Sequence, residues 1–248
     1  ATTSDIVFNF SEAVDVETGN ITIKKSSDDS TVETIDVTSN LVTGSGTTAI
    51  KVNPATDLEE STEYYVQIDD TAFDDSSSNS FAGITDKTTL SFTTADETAP
   101  TLRSSTPADD STEIAATSDI VLNFSETVDV ETGNINIKKS SDDSTVETID
   151  VTSNLVTGSG TTSITINPAT DLEESTQYYV QIDDTAFDDS SSNSFAGITD
   201  KTTLSFTTAD ETAPTLSSST PADDSTEIAT TSDIVLNFSE AVVRLSLM

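Results

Sequence analysis

AATSDIVLNFSETVDVETGN, residues 115–134, repeats ATTSDIVFNFSEAVDVETGN, residues 1–20, and ATTSDIVLNFSEAV returns at residues 229–242. The spacing is 114 residues both times. Inside this stretch Ile120, Leu122 and Phe124 alternate with Val121, Asn123 and Ser125. That two-residue period belongs to a strand with one face buried. The rest of the repeat continues in the same way: Ile135 and Ile137, Ile149 and Val151, Ile164 and Ile166, then Tyr178, Val180 and Ile182, and finally Leu204 and Phe206. Turn residues separate these runs, and none of them has the spacing of an amphipathic helix. About seven short strands in each 114-residue repeat predict an all-β chain of tandem antiparallel two-sheet sandwiches. Phe187 and Phe195, in the segment after Ile182, are expected to fold back onto the edge of the core.

The two full copies, 1–114 and 115–228, differ at nine positions, among them Phe8/Leu122, Ala13/Thr127, Lys51/Thr165 and Glu63/Gln177. Near-identity suits a repeated structural module better than a set of diverged catalytic domains. ADETAPTL, at 95–102 and again at 209–216, follows TTLSFTT each time. Its proline marks the linker between one module and the next. The expected domains are therefore 1–98, lacking a first strand, 99–211, complete, and 212–248, holding two strands of a further copy. After Val242 the third copy departs from the pattern, with VRLSLM in place of the expected DVETGN.

Composition narrows the function. Asp and Glu number 45 against 9 Lys and Arg, a formal charge of -36, and there is no Cys, His or Trp. Phosphate backbones and anionic membrane surfaces repel such a chain, and no apolar run reaches the ~20 residues of a membrane helix. Disulfides, thiol nucleophiles, a Ser-His-Asp triad and His/Cys zinc sites are excluded by the residues themselves. The pair Asp183/Asp184 has no Trp platform beside which to serve a glycosidase. One of Tyr178 and Tyr179, after LEEST, is expected to form a corner with its hydroxyl bonded to backbone. The pairs Lys24/Lys25 and Lys138/Lys139 are expected to meet nearby acids at small energetic gain.

DIVLNFSE and the longer run YYVQIDDTAF…NSFAGI…FTT resemble the bacterial Ig-like domains of the SbsA or Big_5 type, found in S-layer and adhesin-like surface proteins. The resemblance spans the whole repeat. It implies an Ig-like sandwich used as a spacer in large secreted or cell-surface proteins, with no catalytic role of its own. A glycan- or protein-binding module and an accessory domain of a secreted hydrolase are the other uses it allows.

In an Ig-like topology the loops that follow the second strand and precede the last one lie near the preceding linker. That rule gathers Glu126, Asp129 and Glu131 with Asp183, Asp184, Asp188, Asp189 and Asp200, and with the linker acids Asp96 and Glu97. Asp210 and Glu211 occupy the same places in the next linker. Asp57, Glu59 and Glu60 of NPATDLEES approach from the far end of the previous module. Carboxylates this close repel unless a counter-ion sits among them. Ca²⁺, which takes 6–8 oxygen ligands, is the expected cofactor, in a structural role that stiffens the array. The expected partners are neighbouring repeats and, through the incomplete terminal modules, a second copy joined head to tail.

Overall fold

The computed structural model describes residues 5–242, and among them no helix occurs. The departure from the repeat at 243–248 lies outside the described residues. The chain divides into two compact units. One comprises Ala1–Thr101, Ser125–Asp129 and Phe187–Ala196, and the other Leu102–Phe124, Val130–Ala186 and Gly197–Met248.

The first unit carries β1 (Ile6–Val16), β2 (Asn20–Lys25), β3 (Thr31–Asp36), β4 (Val42–Thr43), β5 (Thr47–Val52), β6 (Glu63–Ile68), β7 (Phe73–Asp74) and β8 (Ser91–Thr93). They form two four-stranded sheets, β4-β5-β1-β7 and β3-β2-β6-β8. Alternation decides which face is inside: Ile21 and Ile23 of β2, and Ile50 and Val52 of β5, are fully buried, while Ala49 and Lys51 face water. Tyr64, Val66 and Phe73 complete the layer between the sheets.

The second repeat runs through β9 (Leu102–Thr106), β10 (Ser111–Ile114), β11 (Ile120–Val130), β12 (Asn134–Lys139), β13 (Thr145–Asp150), β14 (Val156–Thr157), β15 (Thr161–Ile166), β16 (Gln177–Ile182), β17 (Phe187–Asp188) and β18 (Ser205–Thr208). The order β10-β18-β16-β12-β13 makes one sheet, and β14-β15-β11-β17, with β9 also on β11, the other. Every apolar residue of the period-2 runs, from Ile120 to Phe206, is buried. Phe187 and Phe195 are buried as well, and Phe187 belongs to a strand. The first strand is split. β9 pairs antiparallel with β11, whereas β10 crosses over and pairs parallel with β18. That split and the short strands β14 and β17 take the repeat beyond seven simple strands. β19 (Leu216–Thr220) and β20 (Val235–Phe238) form a separate two-stranded ribbon.

SETVDVETGN, expected as a loop, is largely strand, because β11 continues to Val130. The reason is Val128, which is buried to 1% exposure and prolongs the inward-facing row past Phe124. In the corresponding β1 the register against β5 shifts between Asn9 and Val14. Such a bulge lets two apolar rows face the same core.

Candidate metal centre

The loop that follows β17 is built around one aspartate. Asp189 Oδ1 accepts hydrogen bonds from the Ser191 and Asn193 backbone N–H groups, both at 2.8 Å, and Oδ2 accepts one from Asn193 Nδ2 at 2.8 Å. Ser192 turns the chain through a positive φ of 66°. Asp75, Ser77, Ser78 and Asn79 repeat this loop in the first copy, with the same bonds and a φ of 62° at Ser78. The DxSxN pattern is thus a local turn device, in which an aspartate satisfies its own backbone.

What differs between the copies is what meets the loop. Asn193 Nδ2 also donates to the Asp96 carbonyl at 3.1 Å. The linker bearing Asp96 is held independently by Glu60, whose Oε2 accepts from Glu97 N at 2.9 Å and from Thr98 Oγ1 at 2.7 Å. At the other end Thr101 and Ser125 exchange two bonds: Thr101 N to Ser125 Oγ at 2.9 Å, and Ser125 N to Thr101 O at 2.8 Å. Glu126 lies within β11, next to Ser125. Asp96, Glu126 and Asp189 consequently each place a carboxylate oxygen within 4.8 Å of the other two. All three belong to the first compact unit. Asp189 is only 4% exposed.

The electrostatics of the trio are asymmetric. Burial, then the charges of Asp189 and Asp96, raise the pKa of Glu126. Burial acts to raise Asp189 too, but the hydrogen bonds from Asn193 and Ser191 outweigh it and hold that carboxyl below its usual range. Glu126 therefore bears the strain of three acids in one place. The next linker repeats the pairing. Glu240, the counterpart of Glu126, is raised by burial, then by the charge of Asp210 and a hydrogen bond to it, with Glu174 adding less. A donor set of carboxylates and a nearby carbonyl, without nitrogen or sulfur, fits a hard cation such as Ca²⁺.

The remaining candidates take other places. Asp183 Oδ2 caps the start of β12, accepting from Asn134 N at 2.8 Å. Glu131 is exposed and its N–H donates to Ala186 O at 3.0 Å. Asp129 and Asp188 lie half-buried on strands, Asp184 and Glu97 are exposed, and so are Asp210 and Glu211. Glu59 pairs with Lys25 at 2.6 Å, as Glu173 does with Lys139. Asn193 had no place among the candidate ligands, yet it ties the linker to the acidic loop. Its signal in the sequence is only its spacing of four from Asp189.

These sandwiches, with their acidic linkers, define the chain as an array of Ig-like modules. The bacterial Ig-like domain model, Big_5, matches residues 1–94, 96–208 and 210–247, and the chain belongs to that family. No curated protein matches it. A solved structure described as "Biofilm associated protein - BSP domain" is 18% identical, with a TM-score of 0.23, over 80% of this chain and 26% of that one.

Proposed function

We propose that the chain is a stretch of the extending region of a large extracellular adhesin or matrix protein, non-catalytic, with Ca²⁺ as its structural cofactor. The observation that carries this reading is the linker itself. Near-identical Ig-like repeats are joined by ADETAPT, and the linker carboxylate Asp96 lies within 4.8 Å of Glu126 and Asp189. Asp96, Glu126 and Asp189 would hold the cation, which supplies the positive charge that three adjacent carboxylates need. A linker so held is a fixed joint, and a row of fixed joints carries a terminal binding region away from a cell surface. The acidity supports an extracellular setting where divalent cations are plentiful. It also supports exclusion of nucleic acid and of membrane insertion.

Thermal unfolding in Ca²⁺ and in chelator tests the reading. A ligand that binds only the folded state raises stability by ~2.7 kcal/mol at a hundredfold excess over Kd. We expect a rise of that order in the midpoint of the wild-type chain, lost in Asp189→Asn. Glu126→Gln is expected to behave oppositely in the two conditions. Without metal it relieves the repulsion and melts higher than wild type, and with Ca²⁺ it gains less. A midpoint indifferent to millimolar Ca²⁺ leaves a bare acidic spacer.

A further inference from the structure

The outer face of the sheet β3-β2-β6-β8 carries a cleft of about 300 Å³. At its centre is the cross-strand pair Thr22↔Gln67, two outward positions set between the buried Ile21, Ile23, Val66 and Ile68. Gln67 Nε2 donates to the Thr85 carbonyl at 2.5 Å, which fixes the amide. The segment 82–85 is held against β6 because Ile68 and Ile84 exchange backbone hydrogen bonds at 2.9 and 2.8 Å. Gly83 permits this approach: at a φ of +72° a Cβ there would lie 2.6 Å from Ile68 O. Asp69 and Asp70 complete the lining. Asp69 Oδ2 accepts from Asn20 N at 2.8 Å and from Asn20 Nδ2 at 3.2 Å, so the start of β2 sets its position.

The lining joins two carboxylates, a carboxamide and two hydroxyls to a short apolar strip, Ala82 and Ile84. Lysine and arginine do not line it among the described residues, so an anion finds no partner there. Asp69 and Asp70 belong to no trio of metal-ligating groups among the described residues. They suit instead a ligand cation that donates directed hydrogen bonds, since charge-assisted bonds are about twice as strong as neutral ones. Thr22, Gln67 and Thr85 offer both donors and acceptors to hydroxyl groups, and the strip of Ala82 and Ile84 meets C–H groups. An ammonium beside hydroxyls on one compact ring is an amino sugar. The volume is at the lower end of small-molecule sites, the size for a sugar ring and not for a folded partner.

We propose that this cleft binds a protonated amino sugar, as one residue of a glucosamine-rich cationic polysaccharide. The ammonium lies against Asp69 and Asp70, and ring hydroxyls bond to Thr22, Gln67 and Thr85. The second repeat keeps these residues as Gln181, Asp183, Asp184, Ala196 and Thr199, with Asn136 in place of Thr22. There Gln181 Nε2 again donates to Thr199 O at 2.5 Å, and Asp183 Oδ2 accepts from Asn134 N at 2.8 Å. The site residues therefore recur at the 114-residue spacing. A polymer that engages several modules gains avidity from effective concentration, which offsets the lack of a stacking aromatic in each. The formal charge of -36 draws a polycation in and repels an anionic glycan. This adds recognition of a matrix polymer to the spacer role and does not depend on the metal.

The test uses the 248-residue chain in chelator, with a fluorescent glucosamine tetramer at mildly acidic pH, where its amines are protonated. Binding is followed by anisotropy. We expect saturable binding that weakens with salt and is at least about tenfold weaker for the fully N-acetylated tetramer. Ala82→Trp/Ala196→Trp fills both clefts from exposed positions without changing charge. It should bind at least about tenfold more weakly with an unchanged unfolding midpoint. Asp70→Asn/Asp184→Asn should lose about as much. Asp28→Asn/Asp142→Asn removes the same charge from the turns at the other end of β2 and β12, where Asp28 and Asp142 accept from Ser30 and Ser144, and should leave the affinity unchanged. Absent binding, or binding that both cleft variants retain, overturns the site. Equal binding of the acetylated tetramer overturns the ammonium, and equal binding of spermine overturns the sugar. Since metal is chelated throughout, failure of the Ca²⁺ reading leaves this result intact.

Discussion

Tyr178 and Tyr179 are adjacent, both buried, and do different work. Tyr178 points into the sandwich and its hydroxyl accepts from Glu173 N at 2.8 Å, the corner expected from LEEST followed by an aromatic. Tyr178→Phe should cost about 1 kcal/mol, a typical net hydrogen bond, read as a lower denaturant midpoint with an unchanged slope. Tyr179 lies on the opposite face, donates to Asp143 Oδ1 at 3.0 Å, and has Lys201 Nζ 5.6 Å from its ring centre. Nothing in the local sequence tells which tyrosine takes which role, since Asp143 and Lys201 arrive from distant turns. Asp200 bears on acid stability. The Thr203 hydroxyl, the Thr202 N–H and the Thr202 hydroxyl lower it from 3.8 to about 2. A carboxyl depressed on folding stabilises above its unfolded pKa, and that contribution is lost as the pH falls from 3.8 toward about 2. Asp200→Asn should therefore flatten the loss of stability across that window in acid titrations. Glu126 has the opposite sign. Its raised carboxyl is a penalty above its folded pKa that acid relieves, so Ca²⁺ affinity should fall as the solution is acidified through that range. Calorimetry should show protons released on binding, and Glu126→Gln should abolish the release.

At the scale of elements, the hairpins were legible because alternation and turn chemistry are local. Gly158 shows how strictly. At a φ of +104° a Cβ there would lie 2.2 Å from Ser163 O. Gly158→Ala should destabilise by ~2 kcal/mol or more, from backbone strain and a clash with main chain that cannot step aside, measured by urea unfolding. The length of β11 was less legible. A run rich in Glu and Asp reads as a loop, and only the burial of Val128 and Val130's place in the strand carry it onward. The split of the first strand into β9 and β10 was not legible at all, because pairing to opposite sheets depends on partners about 20 and 90 residues away. The ladder between β9 and β11 predicts that the amides of Val121–Phe124 exchange more slowly than those of the exposed turn at 158–160, measured by hydrogen exchange.

For the whole molecule, charge sets the response to conditions. A formal charge of -36 is a self-repulsion that salt screens, so the unfolding midpoint should rise with monovalent salt even without Ca²⁺. Ca²⁺ should add a further rise that chelator removes and that depends on Asp189. The sequence by itself determined the repeat, the all-β class, the inward face of the period-2 runs in the second repeat and the family. Each of these follows from periodicity and near-identity, which are properties of neighbours along the chain. It also put the acids of the linker and two loops into one group, but made that group too large. Only the tertiary structure decided that Asp96, Glu126 and Asp189 converge while Asp183 caps β12 and Asp184 stays in solvent. That choice rests on Asn193 and Glu60 holding the linker and on β11 running straight through Glu126. A side chain's neighbours across 30 to 100 residues are set by packing, which sequence spacing does not encode.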